Sequence, residues 1–329
     1  MNQVIGFFRK SCTATAELKE AIQRCINDHR LSAQEVGGKS KLKADNDTRW
    51  TSAEEALARF LLLWPAVRDI LVKKEKYNMV LSQAEIDQMT DLKLLLSFPK
   101  EVVLAFEVHG TPAADVALRL SALLIALRSG RVTFKSTEVA AAKNRFVADL
   151  ESRLFGTPPL LQPFIMMSLL VPHYKNHGFI SSGPVCKAAS ANLRQLFQNA
   201  KAPAPPQLPP QEPTTTPAIQ ASVIMADIMA DSISTTPLAT ASGDELDRYM
   251  GMVVIDKPQS ALGWWASKES RQAFPVLSAI ATKYLTVPAS TADVERLFSS
   301  TKIVTSGRRS NMSPQVLENL MLIKINSQI

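Results

Sequence analysis

The residues of this chain whose types and spacing could carry chemistry lie near its C-terminal end. In Ser290-Thr-Ala-Asp293 the serine can cap a helix and the aspartate can reach back to it, as in a capping box. Glu295 then falls on a different helix face from the apolar Val294 and Phe298. Its carboxylate is explained equally well as a first-turn glutamate favoured by the helix dipole. Two-metal phosphoryl transfer needs several converging carboxylates, so Glu295 alone cannot support it.

Histidines and cysteines are the other residues that could bind a metal. His173 and His177 are four residues apart and could share a helix face, with Cys186 nearby, but no fourth ligand is evident. We therefore expect two surface histidines and no metal site. The three cysteines are widely spaced and form no Cys-x-x-Cys pair, which fits a reducing compartment.

Composition bounds the class of protein. The chain has 329 residues, of which 46% are hydrophobic, a net charge of +7 and a pI of about 9.3. The basic excess favours an anionic partner such as nucleic acid, although the charge is spread along the chain. The longest apolar stretches, such as Leu118–Leu127, fall far short of the roughly 20 residues that span a membrane. With no secretory leader recognisable at the N-terminus, we expect a soluble intracellular protein.

The elements that must position these residues are predicted to be helices. Spacing of three and four residues between apolar positions favours a helix over 4–30 and helical stretches over 67–80, 83–97 and 99–108. Further helices are predicted over 134–154, 182–199 and 246–250. A loop-rich stretch is expected over 155–179. Expected helix starts lie at Thr51 or Ser52, at Thr111-Pro112 and at Ser313-Pro314.

Two stretches are not predicted to be helical. Residues 34–47 carry two glycines and three lysines, which predicts a basic loop that is either simply solvated or in contact with phosphates. Residues 200–243 are rich in proline and predict a disordered or polyproline-like linker.

The last helix carries more apolar residues than one face can hold. We therefore expect it to be buried within the chain or against another subunit.

Several motifs together resemble the hAT family of DNA transposases and the BED-finger proteins derived from them. The stretch from Val287 to Asn326, with its Ser-x-x-x-x-Glu-Arg-x-Phe-Ser pattern, resembles the family's C-terminal dimerisation segment. Asp47-Thr-Arg-Trp50 resembles its Arg-Trp motif, and Gly263-Trp-Trp265 resembles the segment leading into the acidic helix. Leu170-Val-Pro-His-Tyr-Lys175 resembles a Leu-Asp-Pro-Arg-Tyr-Lys element, with two substitutions.

The resemblance implies a fold and a set of domains. We expect a mainly α protein, the remnant of a ribonuclease-H-like transposase core with a large all-α insertion domain. The expected domains are a residual core helix and basic loop at 1–47, the insertion domain at 48–199, the linker at 200–243 and the dimerisation region at 244–329.

The resemblance also implies roles for particular residues. Glu295 corresponds to the third acid of the family's metal-binding Asp-Asp-Glu triad, but the 48 residues before Arg49 hold no counterpart of the two aspartates or of the zinc finger. We therefore expect a truncated or domesticated transposase-derived chain without enzyme activity and without a cofactor, binding Mg²⁺ only if another chain completes the site. Candidate DNA-binding residues are Arg49, Trp50, Lys39, Lys41, Lys43, Arg308 and Arg309. Candidate dimerisation residues are Leu297, Phe298, Val316, Leu317, Leu320, Met321 and Ile323.

The expected function is dimerisation, as a homodimer or with an hAT-related partner, together with weak DNA association in the nucleus and no membrane contact. One alternative is a subunit of an active transposase or nuclease that contributes Glu295 in trans. A second alternative is an all-helical interaction scaffold without a DNA role.

Overall fold

A computed structural model of the protein describes most of the chain, and the regular elements of the described part are helices. One isolated antiparallel bridge, between Pro112 and Pro288, is the β-type pairing seen there. The mainly α prediction is confirmed. The structure describes residues 1–44, 50–176, 178, 183–201, 243–253, 260–305 and 313–326, without the side chains of residues 50, 303–305 and 325–326.

The described chain divides into two compact units, each considered by itself. The first unit comprises Met1–Glu101 and Gly130–Val147. Its core is formed by the apolar faces of α1 (Asn2–Lys10), α2 (Cys12–Asn27) and α4 (Trp50–Lys73), with Phe8, Leu18 and Phe60 among the buried side chains. The helices that begin in it are α1 Asn2–Lys10, α2 Cys12–Asn27, α3 Ala33–Val36, α4 Trp50–Lys73, a 3-10 turn Tyr77–Met79, α5 Gln83–Glu107 and α7 Thr137–Phe155.

The single helix predicted over 4–30 is two helices. Ser11 interrupts it in an extended conformation, and its hydroxyl caps α2 by accepting a hydrogen bond from the amide of Ala14 at 3.1 Å. Periodicity alone did not reveal this break, because apolar residues keep helical spacing on both sides of it.

Two further starts differ from the prediction. Part of the predicted basic loop is the short helix α3, capped by Ser32 and closed by Gly37 in the left-handed conformation. Helix α4 begins at Trp50, so Thr51 and Ser52 lie inside its first turn and do not cap it. A buried side chain of that turn, Glu54, pairs with Lys100.

The second unit comprises Val102–Ser129 and Ala148–Ile329. Its centre is α8 (Gln162–Leu169), which packs against α6 (Ala114–Arg128), α9 (Pro184–Ala200) and α13 (Pro275–Leu285). Trp265, Tyr249 and Leu277 are fully buried within it. Its helices are α6 Ala114–Arg128, α8 Gln162–Leu169, α9 Pro184–Ala200, α10 Glu245–Gly251, α11 Ala261–Ala266, α12 Lys268–Ala273, α13 Pro275–Leu285, α14 Ala292–Thr305 and α15 Pro314–Asn326.

Two predictions within this unit are wrong. The stretch 155–179 contains α8, whose short run of apolar residues hides the helical period. Helix α6 begins at Ala114 without a side-chain cap, and the Thr111 hydroxyl donates instead to the carbonyl of Ala105 at 3.1 Å. The predicted start at Ser313 is confirmed, since its hydroxyl accepts from the amide of Val316 at 3.4 Å.

The linker at 200–243 lies almost entirely outside the described residues, and the domain bounds proposed from the sequence stay predictions. Within the described residues, no helix has the length and apolar character needed to cross a membrane.

Candidate functional site

The Ser290–Arg296 segment is docked onto the end of α5 within the second unit. The Ser290 hydroxyl donates to the Phe106 carbonyl at 2.8 Å, and Arg296 Nη1 donates to the Glu107 carbonyl at 2.7 Å. Just before it, the amide of Ala289 donates to the Thr111 carbonyl at 2.8 Å. The two short backbone stretches are thereby joined edge to edge.

This docking has a simple electrostatic basis. The last carbonyls of a helix have no partner within the helix and carry the negative end of its dipole. A hydroxyl from Ser290 and a guanidinium from Arg296 satisfy two such carbonyls of α5. Helix α14 begins only at Ala292, and the Ser290 hydroxyl also accepts from the amide of Ala292 at 3.3 Å. The capping box predicted with Asp293 is not found among the bonds of the described residues.

Asp293 is held by other partners. Its Oδ1 accepts from Arg296 Nη2 at 2.6 Å and lies 2.9 Å from His109 Nδ1. Partial burial raises the pKa of Asp293, but the hydrogen bonds from Arg296 and His109 outweigh it and leave the pKa below its ordinary value. The Asp293 carboxylate is thus bound by Arg296 and His109.

The neighbouring carboxylate of Glu295 is exposed. No hydrogen bond or ion pair to its side chain occurs among the described residues, and no cluster of three metal-ligating side chains is found in that part of the chain. The structure therefore places the Glu295 side chain in solvent. One exposed carboxylate can bind a hydrated Mg²⁺ only weakly.

The most conspicuous surface feature of the C-terminal helices is apolar. Helices α14 and α15 contact each other, and Met321 is buried. Phe298 on α14 is nevertheless 68% exposed, and Ile323 on α15 is 65% exposed. Val316, Leu320 and Ile323 are spaced by four and three residues, so they form one stripe along α15. We call the exposed side chains of Val294, Phe298, Val316, Leu320 and Ile323 the terminal apolar surface.

The predicted dimerisation residues fall into three groups. Phe298, Val316, Leu320 and Ile323 are exposed and contribute to the terminal apolar surface. Leu297 and Leu317 are half-buried, and Met321 is buried. Met321 therefore supports the helix pair from inside rather than offering a contact outside.

An aromatic cluster buries the helices that precede this surface. The rings of Tyr249 and Trp265 are 4.9 Å apart, and Trp265 Nε1 donates to the Leu170 carbonyl at 2.6 Å. Lys175 Nζ lies 4.7 Å from the centre of the Tyr249 ring and donates to the Tyr249 carbonyl. Burial lowers the pKa of Lys175 to about 8. The Leu170–Lys175 element is thus a structural anchor for α10 and α11.

The candidate DNA-binding residues are not gathered into one site by the described residues. Lys43 forms an ion pair with Glu55, and Lys39 Nζ donates to the Glu35 carbonyl at 3.3 Å. Lys41 is exposed. Trp50 begins α4, while its side chain and the residues Arg49, Arg308 and Arg309 lie outside the described part.

The predicted absence of a histidine metal site stays a prediction. His173 packs edge-on against the ring of Tyr174 at 4.2 Å, and burial lowers its pKa. It lies in a turn, not on a helix, and His177 is outside the described residues.

Comparison with known proteins bears on the C-terminal helices. Residues 245–327 match the family model described as the hAT family C-terminal dimerisation region. A protein of Talaromyces stipitatus named "Putative transcriptional regulator tpeD" is 34% identical over 84 residues. That alignment covers 25% of this chain and spans 9% of the relative's length.

The helices from α10 onward, with their docked motif and terminal apolar surface, are thus a dimerisation region of the transposase type. The match of residues 245–327 to the hAT region in particular confirms the predicted resemblance to hAT-family transposase-derived proteins.

Sequence reasoning missed three features of this region: the Ser290 and Arg296 contacts to α5, the buried position of Lys175, and the role of Tyr249. Tyr249 follows Leu246 by three positions, and this helical spacing of two nonpolar side chains was a signal for burial. No local signal identifies the carbonyls that Ser290, Arg296 and Lys175 contact, because they are 184, 189 and 74 positions away in sequence.

Proposed function

We propose that this protein acts in assembly: its hAT dimerisation region joins it to a second copy of itself through the terminal apolar surface, and it associates weakly with DNA in the nucleus. The observation that carries the proposal is the exposure of Phe298, Val316, Leu320 and Ile323 in a segment that matches a dimerisation region.

Apolar exposure on this scale favours a protein contact. Scattered single apolar residues on a surface are ordinary, but these side chains lie at helical spacing on two helices that touch each other. A contact made by the same face of two copies is self-complementary, which suits a twofold dimer. An hAT-related chain with the same apolar surface is the other partner that this proposal allows.

Sedimentation velocity at tens of micromolar tests the dimer. We expect the wild type to sediment as a dimer, and Phe298→Asp or Leu320→Asp to dissociate at least about tenfold more readily, because each would place a carboxylate in a dry contact. A wild type that stays monomeric at these concentrations contradicts the proposal.

Ser299→Asp is the matched control. Ser299 is the exposed neighbour of Phe298 on α14, and the variant adds the same charge one position away, off the apolar stripe. It should sediment as the wild type does. Equal weakening by Phe298→Asp and Ser299→Asp would mean that added charge, not the apolar surface, governs association.

We also propose that the chain alone does not cut or join DNA strands. The support is the position of Glu295, exposed and without a second acid converging on it among the described residues, while Asp293 is held by Arg296 and His109. DNA association is supported by the net charge of +7, and it should weaken as salt is added.

One observation favours a second candidate function. The Glu295 carboxylate is accessible in the described part, so another chain bearing two aspartates could use it in trans. Metal-dependent nicking that requires Glu295 would distinguish this subunit role from assembly alone. The third candidate, a scaffold without a DNA role, predicts no salt-dependent DNA binding.

We further propose that residues 48–199 derive from the all-α insertion domain of an hAT transposase and that the chain is a remnant of a ribonuclease-H-like core. The unbroken series of helices from α4 to α9 within the described residues supports the first part. A longer gene product that encodes the strands of a ribonuclease-H-like core would support the second part.

A further inference from the structure

A groove between α2 and α4 in the first unit concentrates positive charge. It has a volume of about 470 Å³ and is lined by Arg24, Arg68, Asp69, Ile70, Val72 and Lys73. Arg24, Arg68 and Lys73 are all exposed, so the groove is open to solvent along its rim. Its floor is aliphatic, with Ile70 buried beneath.

Asp69, the acidic side chain that lines this groove, is paired with Arg30. Asp69 accepts two hydrogen bonds from Arg30, at 3.1 and 2.7 Å, in a forked arrangement. The Arg30 hydrogen bond lowers the pKa of Asp69 against the effect of burial, and Arg24 lowers it further. Arg30 also pairs with Asp28 at 3.5 Å.

Arg30, which pairs with Asp69 and Asp28, does not line the groove. Lys74, the residue after Lys73, does not line it either and is paired with Glu17 at 3.0 Å. In the part of the chain that the structure describes, Arg24, Arg68 and Lys73 make no ion pair. Three positive groups therefore border one open groove whose single acidic lining residue, Asp69, is paired with Arg30, and this excess of positive charge attracts an anion.

We propose that the α2–α4 groove binds the phosphate backbone of DNA, an assignment that rests on the DNA part of the proposed function. Two arginines favour phosphate, because a planar guanidinium can donate two hydrogen bonds to one phosphate group. An open groove with its cations along the rim suits a continuing strand of phosphates better than one enclosed small molecule. None of these residues was among the DNA-binding candidates drawn from the sequence.

Fluorescence anisotropy with a labelled 20-base-pair duplex of mixed sequence tests the assignment, using wild-type protein up to 100 µM in 50 to 200 mM salt. The test variant is the triple substitution Arg24→Gln, Arg68→Gln, Lys73→Gln. We expect it to bind at least about tenfold more weakly at 50 mM salt. The slope of log affinity against log salt should fall by about 2 to 3, because up to three phosphate contacts are lost.

The matched control removes the same two arginines and one lysine elsewhere: Lys93→Gln, Arg145→Gln, Arg271→Gln. These side chains are exposed and make no ion pair within the described residues, so the net charge changes equally. We expect this control to bind within about threefold of the wild type, its small loss reflecting only the long-range field. Equal losses in both triple variants would overturn the assignment, because net charge alone would then explain binding.

Two further outcomes distinguish failure of the groove assignment from failure of the proposed DNA binding itself. A wild type that binds no duplex at 50 mM salt overturns both the groove and the DNA part of the proposed function. A wild type that binds while the groove variant binds equally overturns the groove alone.

The partner class is tested in the same way. Vesicles containing phosphatidylserine that bind the wild type but not the groove variant, without competition from the duplex, would overturn DNA in favour of a membrane surface. Sedimentation of the groove variant should match the wild type, since the terminal apolar surface is untouched.

Discussion

Lys175 illustrates how much a single side chain depends on its surroundings. The residue is 2% exposed, and its ammonium group meets the face of the Tyr249 ring and the Tyr249 carbonyl. A ring face and a carbonyl both favour a cation, while removal from water opposes it. Desolvation prevails and lowers the pKa to about 8. In the sequence Lys175 ends a weakly matching motif, and nothing around it indicates burial.

This lowered pKa predicts a pH dependence of stability. An unfolded lysine titrates near about 10.4, so between pH 8 and that value the unfolded chain binds more protons than the folded one. The free energy of unfolding should therefore rise with pH across this window, and below pH 8 the full cost of burying the charge is present. From pH 7 to 9.5 the gain should be about 2 kcal/mol.

Urea unfolding followed by tryptophan fluorescence at pH 7, 8.5 and 9.5 measures this gain. We expect Lys175→Met to lose it, and Lys187→Met, which removes an exposed lysine, to keep it. Parallel pH profiles for the wild type and Lys175→Met would show that the buried amine does not titrate in this range.

At the scale of elements, the decisive contact is that between the Ser290–Arg296 segment and the end of α5. The two residues of the Glu-Arg motif have different roles. Arg296 donates hydrogen bonds to the last carbonyl of α5 and to Asp293, while Glu295 faces solvent. The bridge between Pro112 and Pro288 extends the same docking. Helix α14 is thereby fixed at its N-terminal end, and this determines where the terminal apolar surface begins.

We predict different outcomes for neutralising the two members of the pair. Arg296→Gln removes the hydrogen bonds to Glu107 and Asp293, and it should destabilise the fold by about 0.5 to 1 kcal/mol because the contact is partly exposed to solvent. Amide hydrogen exchange over residues 286–297 should accelerate. Exchange in Glu295→Gln should match the wild type, and equal acceleration in both variants would contradict the docking role.

At the scale of the whole molecule, the question is whether the chain can perform the strand chemistry of the transposases it resembles. Two-metal catalysis needs carboxylates that hold two ions about 3.5–4 Å apart. No such cluster occurs among the described residues, and Glu295 stands apart from the nearby Asp293 pairings.

We predict that purified protein does not nick supercoiled plasmid in the presence of Mn²⁺. The measurement is the conversion of supercoiled to open-circular plasmid on a gel, with Glu295→Gln as the control for a contaminating nuclease. Nicking by the wild type that disappears in Glu295→Gln would instead support the subunit role in trans.

The sequence by itself determined the features that depend on neighbouring residues. Apolar spacing predicted a mainly α protein, Ser313 and Pro314 predicted the start of α15, and the pattern around Glu295 predicted the hAT dimerisation region. Helix periods and caps act within a few residues, so they can be recognised in a linear chain.

Only the tertiary structure decided which distant groups meet. It placed Ser290 and Arg296 on carbonyls of α5, Lys175 on Tyr249, and Arg24 beside Arg68 and Lys73. The Ser290 hydroxyl accepts from the nearby Ala292 amide and also donates to the Phe106 carbonyl, because a hydroxyl can do both and the end of α5 offers unpaired carbonyls once the chain is folded. Which distant carbonyl such a side chain meets is decided by packing, which the order of residues alone does not specify.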